Sequence, residues 1–201
     1  MPLKKYHTKG AVEAGCDEAG RGCLAGPVVA AAVILPPGIR LPGLDDSKKL
    51  SEKQRVKLLP IIKKKAVAYG VGIVSHEEID KMNILNASFE AMHRAVRQLE
   101  ETPNLLLIDG NRFNPYAGIQ HHCIIKGDGK YLSIAAASVL AKTTRDFLME
   151  KEHEKYPAYQ WDRNKGYPTK AHRAAIAEFG ATPLHRKSFK LLADEQLTIF
   201  D

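Results

Sequence analysis

The alternation of apolar and polar stretches predicts a β-sheet in the first part of the chain. Residues 28–35 (VVAAAVIL) are continuously apolar and lie between Pro27 and Pro36. A short apolar run bounded by prolines predicts a strand buried on both faces. Four further strands are predicted, one that ends at Asp17 and three at residues 66–74, 105–108 and 122–125.

Helical periodicity follows the third predicted strand. Ser75 and Glu78 have the spacing of a capping box, which marks a helix start. Apolar residues then recur at steps of three and four and predict one helix with a single apolar stripe. The stripe consists of Met82, Leu85, Phe89, Met92, Val96 and Leu99. Core packing explains these methionines more simply than a cofactor role does.

Three more helices are predicted. The longest covers residues 132–156, and its small-residue start, SIAAASVLAK, lets its backbone approach a sheet closely. A shorter helix runs from a Thr169 cap to Gly180. Ser51 with Gln54 begins another, which Pro60 should end or kink.

These elements predict an α/β fold with a mixed five-stranded sheet flanked by helices. The three early strands favour antiparallel pairing, and a helix between strands favours a parallel crossover. We expect residues 1–156 to form the core. Residues 157–201 should form a basic, helical C-terminal extension packed on the same domain.

Charge adds nucleic acid as a candidate partner. The 201 residues carry a formal net charge of +7, with 44% hydrophobic and 26% charged residues, which suits one folded domain. Residues 151–190 hold nine lysines and arginines against four acids, a face that a polyphosphate could use. A mildly basic protein with no such partner remains the alternative on charge alone.

The cysteines and the N-terminus indicate a cytoplasmic protein. Cys16, Cys23 and Cys123 lack a C-x-x-C spacing, which argues against a disulfide framework or a zinc site. The start, MPLKKYHTKG, has no apolar segment typical of a signal peptide. No apolar run is long enough to span a bilayer.

Four carboxylates follow apolar segments with glycine close by. They are Asp17, Glu18, Asp109 and Asp128. Sites collect at strand ends in α/β sheets, so these acids could converge on one point. Mg²⁺ or Mn²⁺ would remove their mutual repulsion, and with a basic protein this favours phosphodiester hydrolysis by two ions. Each acid alone is as well explained as an ordinary turn residue.

At these residues the chain resembles the ribonuclease HII family. The matching blocks keep the family's order over most of the chain. They are DEAGRGCLAGPV (17–28), DDSKKLSEKQR (45–55), LLIDGN (106–111), IIKGDGKYLSIAAASVLAKTTRD (124–146), KGYPTKAH (165–172) and HRKSF (185–189). The chain departs from the expected pattern at Pro60, Tyr131 and Pro168, and no departure removes a catalytic acid.

The resemblance implies a ribonuclease H-like fold, cleavage of RNA in RNA–DNA hybrids and incision beside single ribonucleotides in duplex DNA. Asp17, Glu18, Asp109 and Asp128 match the family's metal-binding catalytic acids. The triplet Gly20, Arg21 and Gly22 matches the backbone that reads the ribose 2′-hydroxyl, and Tyr167 matches the tyrosine that stacks on the neighbouring sugar.

We therefore expect a monomeric endonuclease that uses two Mg²⁺ or Mn²⁺ ions to cut 5′ to a ribonucleotide, leaving 5′-phosphate and 3′-hydroxyl ends. Its partners would be RNA–DNA hybrids and ribonucleotide-containing duplex DNA. Phosphate contacts are expected from Lys48, Lys126, Arg186 and Lys187. Two alternatives stay open. One is a different nuclease on the same fold, such as a junction resolvase or integrase-like enzyme. The other is a non-catalytic nucleic-acid-binding protein.

Overall fold

Five strands form one mixed sheet. The computed structural model describes residues 2–45 and 49–192. The strands are β1 (Glu13–Ala19), β2 (Val28–Ile34), β3 (Ala68–Val74), β4 (Leu105–Asp109) and β5 (Gln120–Ile124). Their order across the sheet is β3-β2-β1-β4-β5. β1–β2 and β2–β3 are antiparallel, while β1–β4 and β4–β5 are parallel, so the predicted mixed sheet is confirmed.

Six α-helices accompany the sheet in the described part of the chain. They are α1 (Glu52–Lys65), α2 (His76–Met82), α3 (Ile84–Arg97), α4 (Leu132–Lys155), α5 (Trp161–Asn164) and α6 (Lys170–Phe179). Short 3-10 turns lie at Gly127–Gly129 and Pro157–Tyr159. The Ser75 capping box and the Thr169 cap both form as predicted. None of these helices has the length and apolarity needed to cross a membrane.

Two helix boundaries differ from the sequence prediction. The single predicted stripe is divided into α2 and α3 at Asn83, whose φ is 65° and whose side chain caps the backbone N–H groups of Leu85 and Asn86. The apolar residues keep a helical spacing across the break, so periodicity alone does not reveal it. Pro60 lies inside α1, which continues to Lys65 and does not end there.

Strand β2 is buried on both faces, as its unbroken apolar sequence predicts. Ala30 and Ala32 belong to the core on the side of α3, while Ala31 and Val33 belong to the core on the side of α1 and α4. Successive side chains of a strand point to opposite faces, so each face of β2 contributes to a separate helix–sheet layer.

Helix α4 lies unusually close to β1. A Cβ atom at Gly15 would lie 2.3 Å from the backbone of Ser133 and Ile134. Glycine on the strand and small residues on the helix therefore allow a backbone-to-backbone approach that larger side chains would prevent. This approach brings the first turns of α4 to the end of the sheet at which β1 and β4 finish.

Residues 157–192 contain a helical region built around Trp161. Trp161 is fully buried and packs in one cluster with Tyr159, Met149 and Leu24. The helical character of this region is confirmed. The division of the chain into a core and an extension at residue 156 stays a prediction.

Candidate active site

Three carboxylates converge at one end of the sheet. Asp17, Asp109 and Asp128 each offer an oxygen, and these atoms all lie within 4.8 Å of one another. The parallel register pairs Cys16 with Ile108, which places the next residues, Asp17 and Asp109, side by side. Asp128 reaches the same point from the 3-10 turn that follows β5.

Backbone amides fix each of the three carboxylates. The N–H of Glu18 donates to Asp17 Oδ1 at 2.7 Å, and that of Gly127 donates to Asp109 Oδ1 at 2.6 Å. The N–H of Gly129 donates to Asp128 Oδ1 at 3.0 Å. The carboxylates therefore have defined positions before any ligand binds.

The buried acids of the site raise one another's pKa values. Burial raises the pKa of Asp17 well above its usual range, and the neighbouring charges of Glu18 and Asp109 raise it further, although Ser138 donates a hydrogen bond. Burial also raises the pKa of Glu18, against the opposing charge of Arg21. Hard oxygen donors that crowd one another in this way fit a divalent cation such as Mg²⁺ or Mn²⁺.

Glu18 reaches the site from a regular strand. Neighbouring residues of a regular strand point to opposite faces, so the sequence predicts that β1 ends or bulges between Asp17 and Glu18 if both are to face one metal site. This prediction is wrong. The pairing continues through Asp17 with Ala31 and Glu18 with Ala30, up to the strand end at Ala19. Asp17 and Glu18 therefore leave the strand on opposite faces. They meet the same cavity because they lie at the rim of the sheet.

Asp17, Glu18 and Asp109 share a cavity of about 400 Å³ with the glycine–arginine triplet and Tyr167. Gly20 is buried with a φ of 97°, and a Cβ atom there would lie 2.0 Å from Arg145 Nε. Only glycine fits this position. The cavity is lined by Asp17, Glu18, Ala19, Gly20, Arg21, Gly22, Arg55, Asp109, Ser138, Lys142 and Tyr167.

Tyr167 lies in the loop between α5 and α6, and 36% of its surface is exposed. Lys142 Nζ lies 5.3 Å from the centre of its ring and the Arg145 guanidinium 5.8 Å, both within cation–π range. His172 Nδ1 holds the Tyr167 carbonyl at 2.9 Å. Tyr167 is thus an accessible aromatic ring with a fixed backbone at the cavity wall.

The chain matches the family model described as Ribonuclease HII over residues 14–192. It is 64% identical to Ribonuclease HII of Bacteroides thetaiotaomicron, covering 98% of this chain and 98% of the relative. It is 57% identical to Ribonuclease HII of Porphyromonas gingivalis, covering 96% of each. The chain belongs to the ribonuclease HII family. Membership makes it a nuclease, an enzyme of the hydrolase class.

Solved structures of ribonuclease HII proteins agree in fold. Ribonuclease H2 from Pyrococcus horikoshii superposes with a TM-score of 0.75 at 29% identity, covering 89% of this chain and 94% of that one. The ribonuclease HII of Archaeoglobus fulgidus, solved in complex with PCNA, gives 0.75 at 29% identity, covering 87% and 92%. The predicted ribonuclease H-like fold is confirmed.

The four basic residues expected at phosphates have different surroundings. Lys126 is exposed two residues before Asp128, and Lys187 is exposed at the C-terminal turn after α6. Lys48 lies outside the described residues. Arg186 is fully buried, and its guanidinium donates to backbone carbonyls of residues 20–27. It therefore faces the protein interior and is not presented to a phosphate.

Sequence reasoning missed one face of α4 and a partner on α1. Ser138 and Lys142 line the cavity, and buried Asp146 holds both Lys142 Nζ at 2.6 Å and Arg55 Nη2 at 3.3 Å. Ser138, Lys142 and Asp146 recur every four residues, the spacing of one helical face. That spacing was a usable signal, whereas nothing near Arg55 in the sequence indicated the pairing.

Proposed function

We propose that this ribonuclease HII hydrolyses the RNA strand of RNA–DNA hybrids and incises duplex DNA on the 5′ side of a single embedded ribonucleotide. One observation carries the proposal. Asp17 and Asp109 of the carboxylate cluster, with Glu18, line one cavity together with the Gly20–Gly22 triplet, of which Arg21 and Gly22 are exposed, and with Tyr167. A metal site beside a surface that can accept a ribose is what cleavage at a ribonucleotide needs.

Asp17, Glu18, Asp109 and Asp128 are proposed as the ligands of Mg²⁺ or Mn²⁺, two ions with substrate bound. The repulsion between Asp17 and Asp109, together with the burial of Asp17, supports the assignment. Bound here, the cations would supply activation of water and neutralise charge on the leaving oxygen. Ser138 and the backbone amides of residues 18, 127 and 129 orient the carboxylates.

In the proposed reaction, water attacks the phosphorus and the bond to the 3′ oxygen of the upstream nucleotide breaks. The products are a 3′-hydroxyl and a 5′-phosphate on the ribonucleotide. The ribose 2′-hydroxyl of that nucleotide adjoins its own 3′-phosphate and not the bond that breaks. It is therefore recognised and does not act as the nucleophile.

The ribose is proposed to lie against the backbone of residues 20–22, with Tyr167 stacked on the next sugar. Gly22 is exposed, and a Cβ atom there would meet no protein atom within 4 Å, so its backbone is open to a ligand. The 2′-hydroxyl distinguishes RNA from DNA at such a site. The substrate's 2′-hydroxyl can both donate to a carbonyl and accept from an N–H.

Exposed lysines around the cavity are proposed to bind phosphates. They are Lys126 and Lys187. Lys142 is added because it lines the cavity, although it is half-buried and pairs with Asp146. Lys48 stays a proposal from the sequence alone. We further propose that the enzyme acts as a monomer, because all residues named for the site come from one chain.

A substrate panel tests the proposal. Four end-labelled substrates would be compared: an RNA–DNA hybrid, a DNA duplex with one ribonucleotide, the same duplex in all-DNA form and a four-way junction. We expect cleavage of the first two only, with Mg²⁺ or Mn²⁺ present, and none with EDTA.

Cleavage of the junction or the all-DNA duplex would favour a different nuclease on this fold. Binding of the ribonucleotide duplex without metal-dependent cleavage of it or of the hybrid would contradict the assigned reaction.

A further inference from the structure

A buried arginine lies beneath the proposed ribose-reading loop. Arg186 has no exposed surface. Its guanidinium donates four hydrogen bonds to carbonyl oxygens of residues 20–27: Nη2 to Gly20 at 2.8 Å and to Pro27 at 3.2 Å, Nη1 to Arg21 at 2.9 Å and Nε to Gly26 at 3.0 Å. The loop is folded around one planar cation.

The hydrogen-bond partners of this charge are carbonyl dipoles, and the charge of Asp80 also favours the protonated form without a direct ion pair. Among the described residues, no ion pair joins Arg186 to a carboxylate within 4.0 Å. Burial lowers its pKa to about 10, so the group stays protonated at neutral pH. A buried charge is costly unless hydrogen bonds satisfy it. Here the loop carbonyls offset the cost of burying the guanidinium, because the loop backbone holds them in directions that accept its N–H groups.

The seat of Arg186 is itself fixed to the core. Its backbone N–H donates to the Leu24 carbonyl at 2.8 Å, and the Gly26 N–H donates to the Leu184 carbonyl at 2.9 Å. The next two residues, Lys187 and Ser188, donate their N–H groups to Asp80 of α2, each at 2.9 Å. The backbone that carries Arg186 is therefore fixed both by the loop at residues 24–26 and by Asp80 of α2.

Arg145 extends the same arrangement to the Tyr167 loop. It is fully buried on α4, and its guanidinium donates to the carbonyls of Pro27 at 2.8 Å, Ala25 at 3.0 Å and Lys165 at 2.7 Å. Lys165 lies two residues before Tyr167. One buried arginine thus shapes the triplet loop, and a second joins that loop to the one that carries the tyrosine.

We propose that Arg186, with Arg145 beside it, is a positioning residue that holds the backbone of Gly20–Gly22 in the position in which it recognises a ribose. The inference rests on the proposed function of that loop. Lysine has a single ammonium group and no planar fork, so it cannot reach four carbonyls in these directions. Arg186→Lys therefore keeps the positive charge but cannot form all four hydrogen bonds to the loop carbonyls.

The test is a competition assay with cleavage of a labelled RNA–DNA hybrid as the reporter. Two unlabelled competitors are compared, a duplex with one ribonucleotide and the all-DNA duplex of the same sequence. Their inhibition constants do not depend on how much of the enzyme is folded. A purely structural role therefore cannot change the ratio between them, although it can lower the thermal midpoint.

For Arg186→Lys we expect the advantage of the ribonucleotide duplex over the all-DNA duplex to shrink by on the order of tenfold, the value of one or two lost hydrogen bonds. The control is Arg94→Lys on α3. Arg94 also donates to a backbone carbonyl, that of Ile73 at 2.7 Å, and pairs with Glu78 and Glu90, yet it touches neither loop. Its ratio should equal that of the wild type.

An unchanged ratio in Arg186→Lys would overturn the inference. If that variant does not fold, Arg145→Lys takes its place, with the same expected loss and the same contradicting result. A wild-type enzyme that shows no preference for the ribonucleotide duplex would refute the proposed function of the loop itself. The two failures are thus distinguishable.

Discussion

Asp17 is a residue at which stability and the proposed catalysis make opposite demands. It is buried, it lies within reach of Asp109 and Asp128, and its pKa is raised by that burial and by neighbouring charge. A carboxylate in such a place destabilises the protein without a cation and provides a ligand when one is bound. The amides that hold these acids indicate a site built to keep them together.

Replacing Asp109 by asparagine separates the two demands. Asp109→Asn removes one charge from the cluster and keeps the shape of the side chain. We expect cleavage to fall by at least about a hundredfold, since even outer partners of metal sites are worth about 10–100-fold. The thermal midpoint without metal should stay the same or rise, because repulsion is relieved.

The matched control for that change is Asp162→Asn. Asp162 is half-exposed and pairs with His153 at 3.4 Å, away from the cavity. The Asp162→Asn variant should cleave the substrate as fast as the wild type does. Retention of most activity in Asp109→Asn would remove Asp109 from the metal site.

At the scale of residues, the sequence was informative where acidic residues follow the ends of strands. Asp17, Asp109 and Asp128 were predictable because each follows an apolar segment and has glycine beside it or within two residues. Arg186 was not predictable in the same way. Its place in a basic segment suggested a phosphate contact, and its burial depends on a loop 160 residues earlier in the chain folding over it.

At the scale of elements, β2 and α4 were the most predictable parts. The unbroken apolar run of β2 predicts burial on both faces, and the small residues at the start of α4 predict a close approach to the sheet. Both features are found. The break between α2 and α3 was not predictable from periodicity. It depends on one residue with a positive φ, Asn83, which ends one helix and caps the next.

Asn83 should therefore be a sensitive position. Asn83→Ala removes the side-chain oxygen that accepts from the backbone N–H groups of Leu85 and Asn86 at 3.0 and 3.1 Å. It also leaves alanine at a positive φ, where it has no side-chain hydrogen bond to stabilise that conformation. We expect a loss of about 1–2 kcal/mol in the free energy of unfolding, measured with urea.

Asn83→Asp keeps an oxygen that can cap α3 and serves as the comparison. It should lose much less stability than the alanine variant. Equal losses in the two variants would show that the cap contributes little, and that the φ angle alone decides.

At the scale of the whole molecule, two buried histidines join the C-terminal region together. His185 Nδ1 accepts from the Thr182 N–H at 2.9 Å, so its Nε2 carries the proton and faces His172 Nε2 at 3.1 Å. His172 Nε2 also accepts from the Trp161 indole N–H at 3.0 Å. His172 Nδ1 then donates to the Tyr167 carbonyl. The chain of bonds requires both rings to be neutral, and it ends at the proposed substrate-stacking residue.

This arrangement predicts a loss of stability in mild acid. Burial lowers the pKa of His185 from 6.5 to about 4, and burial lowers that of His172 as well. The unfolded chain then binds more protons than the folded one between about pH 6.5 and 4. The contribution is present above pH 6.5 and is lost as the pH falls through that window.

Urea unfolding at several pH values would measure the effect. The stability difference between the wild type and His185→Asn should be largest above pH 6.5 and shrink towards pH 4. A difference that stays constant with pH would mean that His185 does not titrate in the folded protein as proposed.

The central claim is that four acids and a ribose-reading loop cooperate to break one bond. Mapping both ends of the cut in a DNA duplex with a single ribonucleotide tests it most directly. The account predicts one incision on the 5′ side of the ribonucleotide, with a 3′-hydroxyl on the upstream DNA and a 5′-phosphate on the ribonucleotide. A cut on the 3′ side, or a 2′,3′-cyclic phosphate at the end, would contradict it, because the 2′-hydroxyl would then be the nucleophile.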